Sequence, residues 1–179
     1  MSFAFSRRSF LKYTAVAAVA VAGASLFTGC KIDTSDSYNV LLTTPGELTV
    51  LQVTAAMGKY VEASKSYTGP DDVTGKTIAF PFKITNGRAN PIYVNPNNFK
   101  ATVLNDKDEF ITKYTASNGL TLDAPLCDTN LKKGASVSGN INLKLGAALE
   151  PGQSIVLTYC PDLQYNEYSL NWKTTRAKD

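Results

Sequence analysis

Histidine is absent from the 179 residues, cysteine occurs three times and tryptophan once. Without an imidazole, the Ser-His-Asp and Cys-His routes to an activated nucleophile are closed, as are His-ligated zinc or copper and a histidine pH switch. Charge is sparse too: charged side chains make up 18% of the chain, with 18 Lys and Arg against 15 Asp and Glu. The excess has one source. Arg7, Arg8 and Lys12 are the only charged residues before Lys31, so the rest of the chain carries 15 basic and 15 acidic side chains. That balance gives no electrostatic footprint for nucleic acid. A domain of about 150 residues can bury roughly two-thirds of its unfolded surface, enough to fold without metals or dense disulfides.

What is present begins with a leader. Ser6-Arg7-Arg8-Ser9-Phe10-Leu11-Lys12 resembles the twin-arginine translocation consensus, with Arg7, Arg8, Phe10, Leu11 and Lys12 at the specified positions. The apolar run that follows, Tyr13 to Phe27, is about 15 residues long, short of the ~20 needed to span a bilayer. It ends in Leu26-Phe27-Thr28-Gly29-Cys30. This resembles a lipobox, in which a small residue precedes the acylated cysteine, although Phe27 stands where that pattern prefers Leu. Residues 1–29 therefore read as a signal peptide for export by the twin-arginine machinery, residues 30–42 as a polar tether, and residues 43–175 as the folded domain. Acyl chains on Cys30 would supply about 0.8 kcal/mol per buried CH₂, enough for anchoring without a membrane-spanning helix.

Setting Cys30 aside leaves Cys127 and Cys160, an even pair in an extracytoplasmic compartment where disulfides persist. A bond between them is the expectation, closing a loop of about 33 residues that would contribute roughly 3 to 4 kcal/mol. Two buried free thiols packing as small hydrophobes are the alternative. A metal site lacks the ligands to complete it, and no cofactor motif occurs.

From residue 40 onward, short alternating runs are separated by turn residues, with no stretch of helical period. Leu48 to Ala55 is rich in branched residues. Thr77 to Thr85 places Ile78, Phe80, Phe82 and Ile84 on one face, with Pro81 on the other, which predicts an edge strand or bulge because proline cannot donate to a ladder. Phe99 to Leu104 and Glu109 to Tyr114 flank Asn105-Asp106-Lys107-Asp108 as a hairpin. Val137, Gly139, Ile141, Leu143 and Leu145 alternate with polar residues, and Ser154 to Cys160 and Tyr168 to Trp172 supply the last strands. Residues 56–76 and 115–133 read as long connections. The prediction is all-β: an immunoglobulin-like antiparallel β-sandwich of seven or eight strands.

The ordered motifs Asn86-Gly87, Pro91-Ile92, Asn95-Pro96-Asn97-Asn98-Phe99 and, later, Gly134-Ala135-Ser136-Val137 with the Tyr159 strand resemble the bacterial immunoglobulin-like lipoprotein domains of unknown function, over roughly residues 43 to 173. The resemblance implies a small extracellular sandwich and no established catalytic residues. The cysteine pair and Pro81 depart from it.

The remaining candidate sites have ordinary structural readings. Asp106, Asp108 and Glu109 lack the glycine and distal glutamate of a calcium loop and read as a hairpin turn, and Asp71-Asp72 reads likewise as a turn. Tyr159, Tyr168 and Trp172 read as core, leaving Tyr165 as the best exposed aromatic contact. Three functions follow: a non-catalytic envelope module binding a protein, a glycan or a small ligand, a structural or assembly subunit of an exported complex, or a carboxylate-dependent glycan enzyme. The first is preferred. The expected partners are the membrane, through lipid on Cys30, the translocation machinery, and an envelope protein or glycan.

Overall fold

The computed structural model describes residues 37–161 and 168–178. Among them, ten strands form two five-stranded sheets. The first sheet runs in the order β1 (Ser37–Asn39), β14 (Ser169–Thr175), β13 (Ser154–Tyr159), β8 (Phe99–Leu104) and β9 (Phe110–Tyr114). The second runs β10 (Leu120–Leu122), β12 (Ser136–Lys144), β6 (Thr77–Asn86), β3 (Val53–Met57) and β2 (Gly46–Leu48). Two small ladders complete the fold, β4 (Lys59–Val61) with β5 (Ser66–Thr68), and β7 (Ile92–Val94) with β11 (Thr129–Leu131). Both sheets are built mainly from antiparallel neighbours, as in a β-sandwich. The expected seven or eight strands correspond to β3, β6, β7, β8, β9, β12, β13 and β14. The short strands β1 and β2, and β4, β5, β10 and β11 in the long connections, raise the total.

The period-two pattern explains the layers. Ile78, Phe80, Phe82 and Ile84 of β6 are all buried, as are Ile141 and Leu143 of β12. Phe82 joins the sheets, its ring meeting Phe99, Tyr159 and Trp172 of the first sheet edge-on at centroid distances of 5.3, 5.5 and 5.4 Å. Trp172 and Tyr159 are therefore core, as the sequence implied. Gly139 interrupts the apolar face of β12 for a steric reason: a Cβ there would lie 3.0 Å from Cγ of Leu126, a fully buried residue from the preceding loop.

Three expectations need correction. Pro81 lies within a central strand, opposite Asn140 of β12. It is tolerated because its carbonyl, and hence its missing N–H, faces β3 at the point where β3 stops; Gly58, just beyond β3, donates to the Pro81 carbonyl at 2.6 Å. Ser37–Asn39, assigned to the tether, form β1, which pairs in parallel with β14, so the sandwich is not wholly antiparallel. Three polar residues carry no periodicity, and only pairing with β14 defines them as a strand. The predicted strand from Leu48 to Ala55 is divided by a 3-10 turn at Thr49–Leu51.

The register of β1 orients the molecule. Ser37 is opposite Ser169, so the chain joins the sandwich at the end where β13 finishes and β8 starts. β6 finishes at this tether end too, because the chain returns from Asn86 through β7 into Phe99. The opposite, distal end holds the β8–β9 turn, the β12–β13 turn and the residues after Thr175.

The candidate functional site

The motif-bearing residues gather at the tether end, where they build a polar corner. Asn86, fully buried, donates through Nδ2 to the carbonyls of Leu131 at 2.8 Å and Asn90 at 3.1 Å, and its Oδ1 accepts the Arg88 N–H at 2.8 Å. Its backbone N–H donates to Ala135 and its carbonyl accepts from Gly134. One side chain thus ties the β6–β7 loop to the β11–β12 turn. At the last position of β6, such a polar group survives burial only because each of its atoms is paired.

Asn95-Pro96-Asn97-Asn98 forms a capped 3-10 turn. The Asn95 side chain accepts from Asn97 N–H, and Asn98 Oδ1 accepts from Asn95 N–H, both at 2.8 Å, while Pro96 occupies the first turn, where no N–H is needed. Asn98 then donates to the Cys160 carbonyl at 2.9 Å, joining β8 to the end of β13. The Asn-Pro-x-x-Phe motif is thus an architectural corner that aims Phe99 into the core.

Asp123 makes a third pin. Its Oδ1 accepts from Asn142 Nδ2 at 2.8 Å, and its Oδ2 accepts from both the N–H and Nδ2 of Asn140. The Asn142 hydrogen bond, assisted by those from Asn140, holds this carboxyl below the usual aspartate range.

The cysteines sit at this end but do not bond to each other. Both are free thiols, with Cys127 Sγ 3.5 Å from Asp128 Oδ2 and Cys160 Sγ 3.5 Å from the Tyr168 carbonyl. The reason lies in strand pairing: the segment after Cys127 is β11, whose ladder goes to β7, and not to β13, which leads into Cys160. Burial pushes both thiols up, and the Asp128 carboxylate adds to the effect at Cys127. Neither cysteine is therefore an activated nucleophile.

Asp128 also accepts the Tyr93 hydroxyl at 2.9 Å, which raises the tyrosine above its ordinary range. At the distal end, Asp108 pairs with Lys173, and Asp106 lies 3.6 Å from Lys178. The Asn105 side chain accepts from the N–H groups of Lys107 and Glu109, which makes this acidic run a hairpin turn. Asp72 accepts from the hydroxyl and N–H of Thr74, which lower its pKa. Among the described residues, no cluster of three or more acidic or cysteine side chains could hold a metal ion. Arg7, Arg8, Phe10, Leu11, Lys12, Cys30 and Tyr165 lie outside the described residues. The sequence reading missed the buried roles of Asn86 and Asn98, whose only signal was an asparagine ending an apolar alternation.

No family model and no curated protein matches the chain. Among solved structures, it is similar to ycdA of Bacillus subtilis, described as a putative lipoprotein, at 14% identity and a TM-score of 0.44 over 76% of this chain and 39% of that one. It is also similar to the yjhA protein of Bacillus subtilis, at 11% identity and a TM-score of 0.44 over 74% of this chain and 97% of the other. The chain thus spans about two-fifths of the length of the ycdA chain.

Proposed function

We propose that this protein is an exported lipoprotein, anchored through acylated Cys30, whose immunoglobulin-like sandwich is a non-catalytic binding module of the cell envelope. The observation that carries the reading is a juncture in the chain. The twin-arginine leader ends at Gly29-Cys30, and the folded domain begins at Ser37. A leader, an acyl-acceptor cysteine and a sandwich follow one another with little chain between them. A binding role is favoured over catalysis because the carboxylates nearest the motif-bearing corner, Asp123 and Asp128, are committed to Asn142 and Tyr93. A carboxylate enzyme needs acid and base groups left free for substrate.

Fractionation of cells expressing the full chain tests the proposal. Cys30→Ser should move the protein from the membrane to the soluble extracytoplasmic fraction with its fold intact, and Arg7→Lys with Arg8→Lys should retain it inside the cell. Membrane retention of the Cys30→Ser protein would overturn lipid anchoring, and full export of the double-lysine variant would overturn the twin-arginine route.

A further inference from the structure

We infer that the tether end of the sandwich is a membrane-docking surface, with the exposed lysines of the β11–β12 turn set against anionic phospholipid headgroups. This inference rests on the lipoprotein reading and extends it to the orientation of the domain. Cys30 and Ser37 are separated by residues 31–36, a stretch that reaches at most about 25 Å when fully extended. The long strands β6 and β12 have 10 and 9 residues, so the sandwich is about 30 Å long. The tether is too short to let the distal end face the bilayer while Ser37 stands above it. An upright domain therefore stands on the end that Ser37 enters.

The side chains at that end suit the position. Lys132 and Lys133 are exposed, and neither forms an ion pair among the described residues. Their turn is fixed by the Ala135 N–H on the Lys132 carbonyl at 3.0 Å and by the Gly134 N–H on the Asn86 carbonyl at 2.6 Å. Beside them on the β7–β11 ladder is Tyr93, opposite Asn130 and 54% exposed. An amphipathic ring next to the exposed Lys132 and Lys133 is the composition favoured at a headgroup boundary. The distal end carries exposed lysines too, Lys76, Lys107 and Lys144, besides Lys173 and Lys178, which are paired with Asp108 and Asp106, so it is the tether length and not the charge that selects the docking end. Among the described residues, the acidic group beside the docking surface is Asp128, which holds the Tyr93 hydroxyl.

The test places a fluorescent reporter at each end of the full, lipidated chain reconstituted into vesicles whose acyl chains are brominated. Tyr93→Trp reports the tether end and Phe110→Trp the distal end, while Trp172, buried between the sheets, reports that each variant is folded. In vesicles of equal parts phosphatidylcholine and phosphatidylglycerol, the Tyr93→Trp emission should be quenched and the Phe110→Trp emission should not. Adding Lys132→Gln and Lys133→Gln should lower the docked-to-undocked ratio at least about fivefold, since each basic residue near an anionic surface contributes about that factor. Pure phosphatidylcholine, or about 1 M salt, which shortens screening to roughly 3 Å, should act in the same direction. Equal quenching at both ends, or quenching at Tyr93→Trp that ignores the lysines and the lipid charge, overturns the proposal. The intact mass of the same sample separates the two readings: lipidated protein without docking refutes only the docking surface, and protein without acyl mass refutes both.

Discussion

The two ends of this sandwich are stabilised by opposite means. At the tether end, buried uncharged asparagines satisfy backbone groups from several loops, Asn86 alone bonding to residues 88, 90 and 131. At the distal end, charged side chains meet across water-exposed turns, as in the Asp106–Lys178 pair, whose side chains are 52% and 67% exposed. A buried hydrogen bond that loses one partner leaves a group unpaired in a low-dielectric setting, whereas solvent screens a broken surface ion pair. The architecture should therefore depend on the first end much more than on the second.

The strongest test of that difference is Asn86→Ala. The change strands the Leu131 carbonyl and the Arg88 N–H and leaves a small void, so we expect a loss of about 2 to 4 kcal/mol in urea denaturation. An intact circular-dichroism spectrum with a loss below about 1 kcal/mol would mean that the loops hold without their pin.

Asp123 carries the comparison into pH. Its carboxyl is held below its ordinary value chiefly by the hydrogen bond from Asn142. A depressed pKa means that the native state favours the ionised form, so its stabilisation is complete above the unfolded value of about 3.9 and fades as pH falls through the lower native value. Asp123→Asn should be less stable than the parent at neutral pH, and the gap should narrow in acid as the parent loses its advantage. A gap independent of pH would show that the carboxylate charge contributes nothing.

Gly134 probes the same end through the backbone alone. Its φ is +75°, and a Cβ there would meet nothing within 4 Å. Gly134→Ala should therefore cost about 1 kcal/mol from conformation without any clash, and asparagine, which tolerates this region better, should cost less. Equal losses for the two would point to a lost contact in place of backbone strain.

These expectations also indicate what was legible in the sequence. The alternation of Ile78, Phe80, Phe82 and Ile84 marked β6 because a two-residue period is a property of the side chains themselves. The hairpin around Asn105 was legible for a similar local reason, the asparagine folding back on its own turn. The three-residue strands β1, β4, β5, β10 and β11 exist through their partners and have no period of their own. The pairing of β11 with β7 is a contact between distant segments, and it is the one that leaves Cys127 and Cys160 unbonded. The Asn-Pro corner was visible as a motif, but its purpose required seeing Asn98 reach the Cys160 carbonyl across 62 residues.

The smallest effect is expected at the distal end, from Asp106→Asn. Asp106 lies 3.6 Å from the ammonium of Lys178, and both side chains are more than half exposed. Water already solvates each charge, holding the two long side chains together costs entropy, and salt screens what attraction remains. The substitution should therefore alter stability by no more than about 0.5 kcal/mol and should leave its salt dependence nearly unchanged. The aspartate's place in the turn does not depend on its charge, because the hairpin is fixed by Asn105, whose Oδ1 binds two N–H groups and whose own N–H donates to Glu109. Asn105→Ala serves as the internal contrast, since it removes the turn's organiser without changing any charge, and it should cost more than Asp106→Asn. If Asp106→Asn instead proved as damaging as Asn86→Ala, the distal turn would be as structural as the tether end, and the proposed asymmetry between the ends would fail.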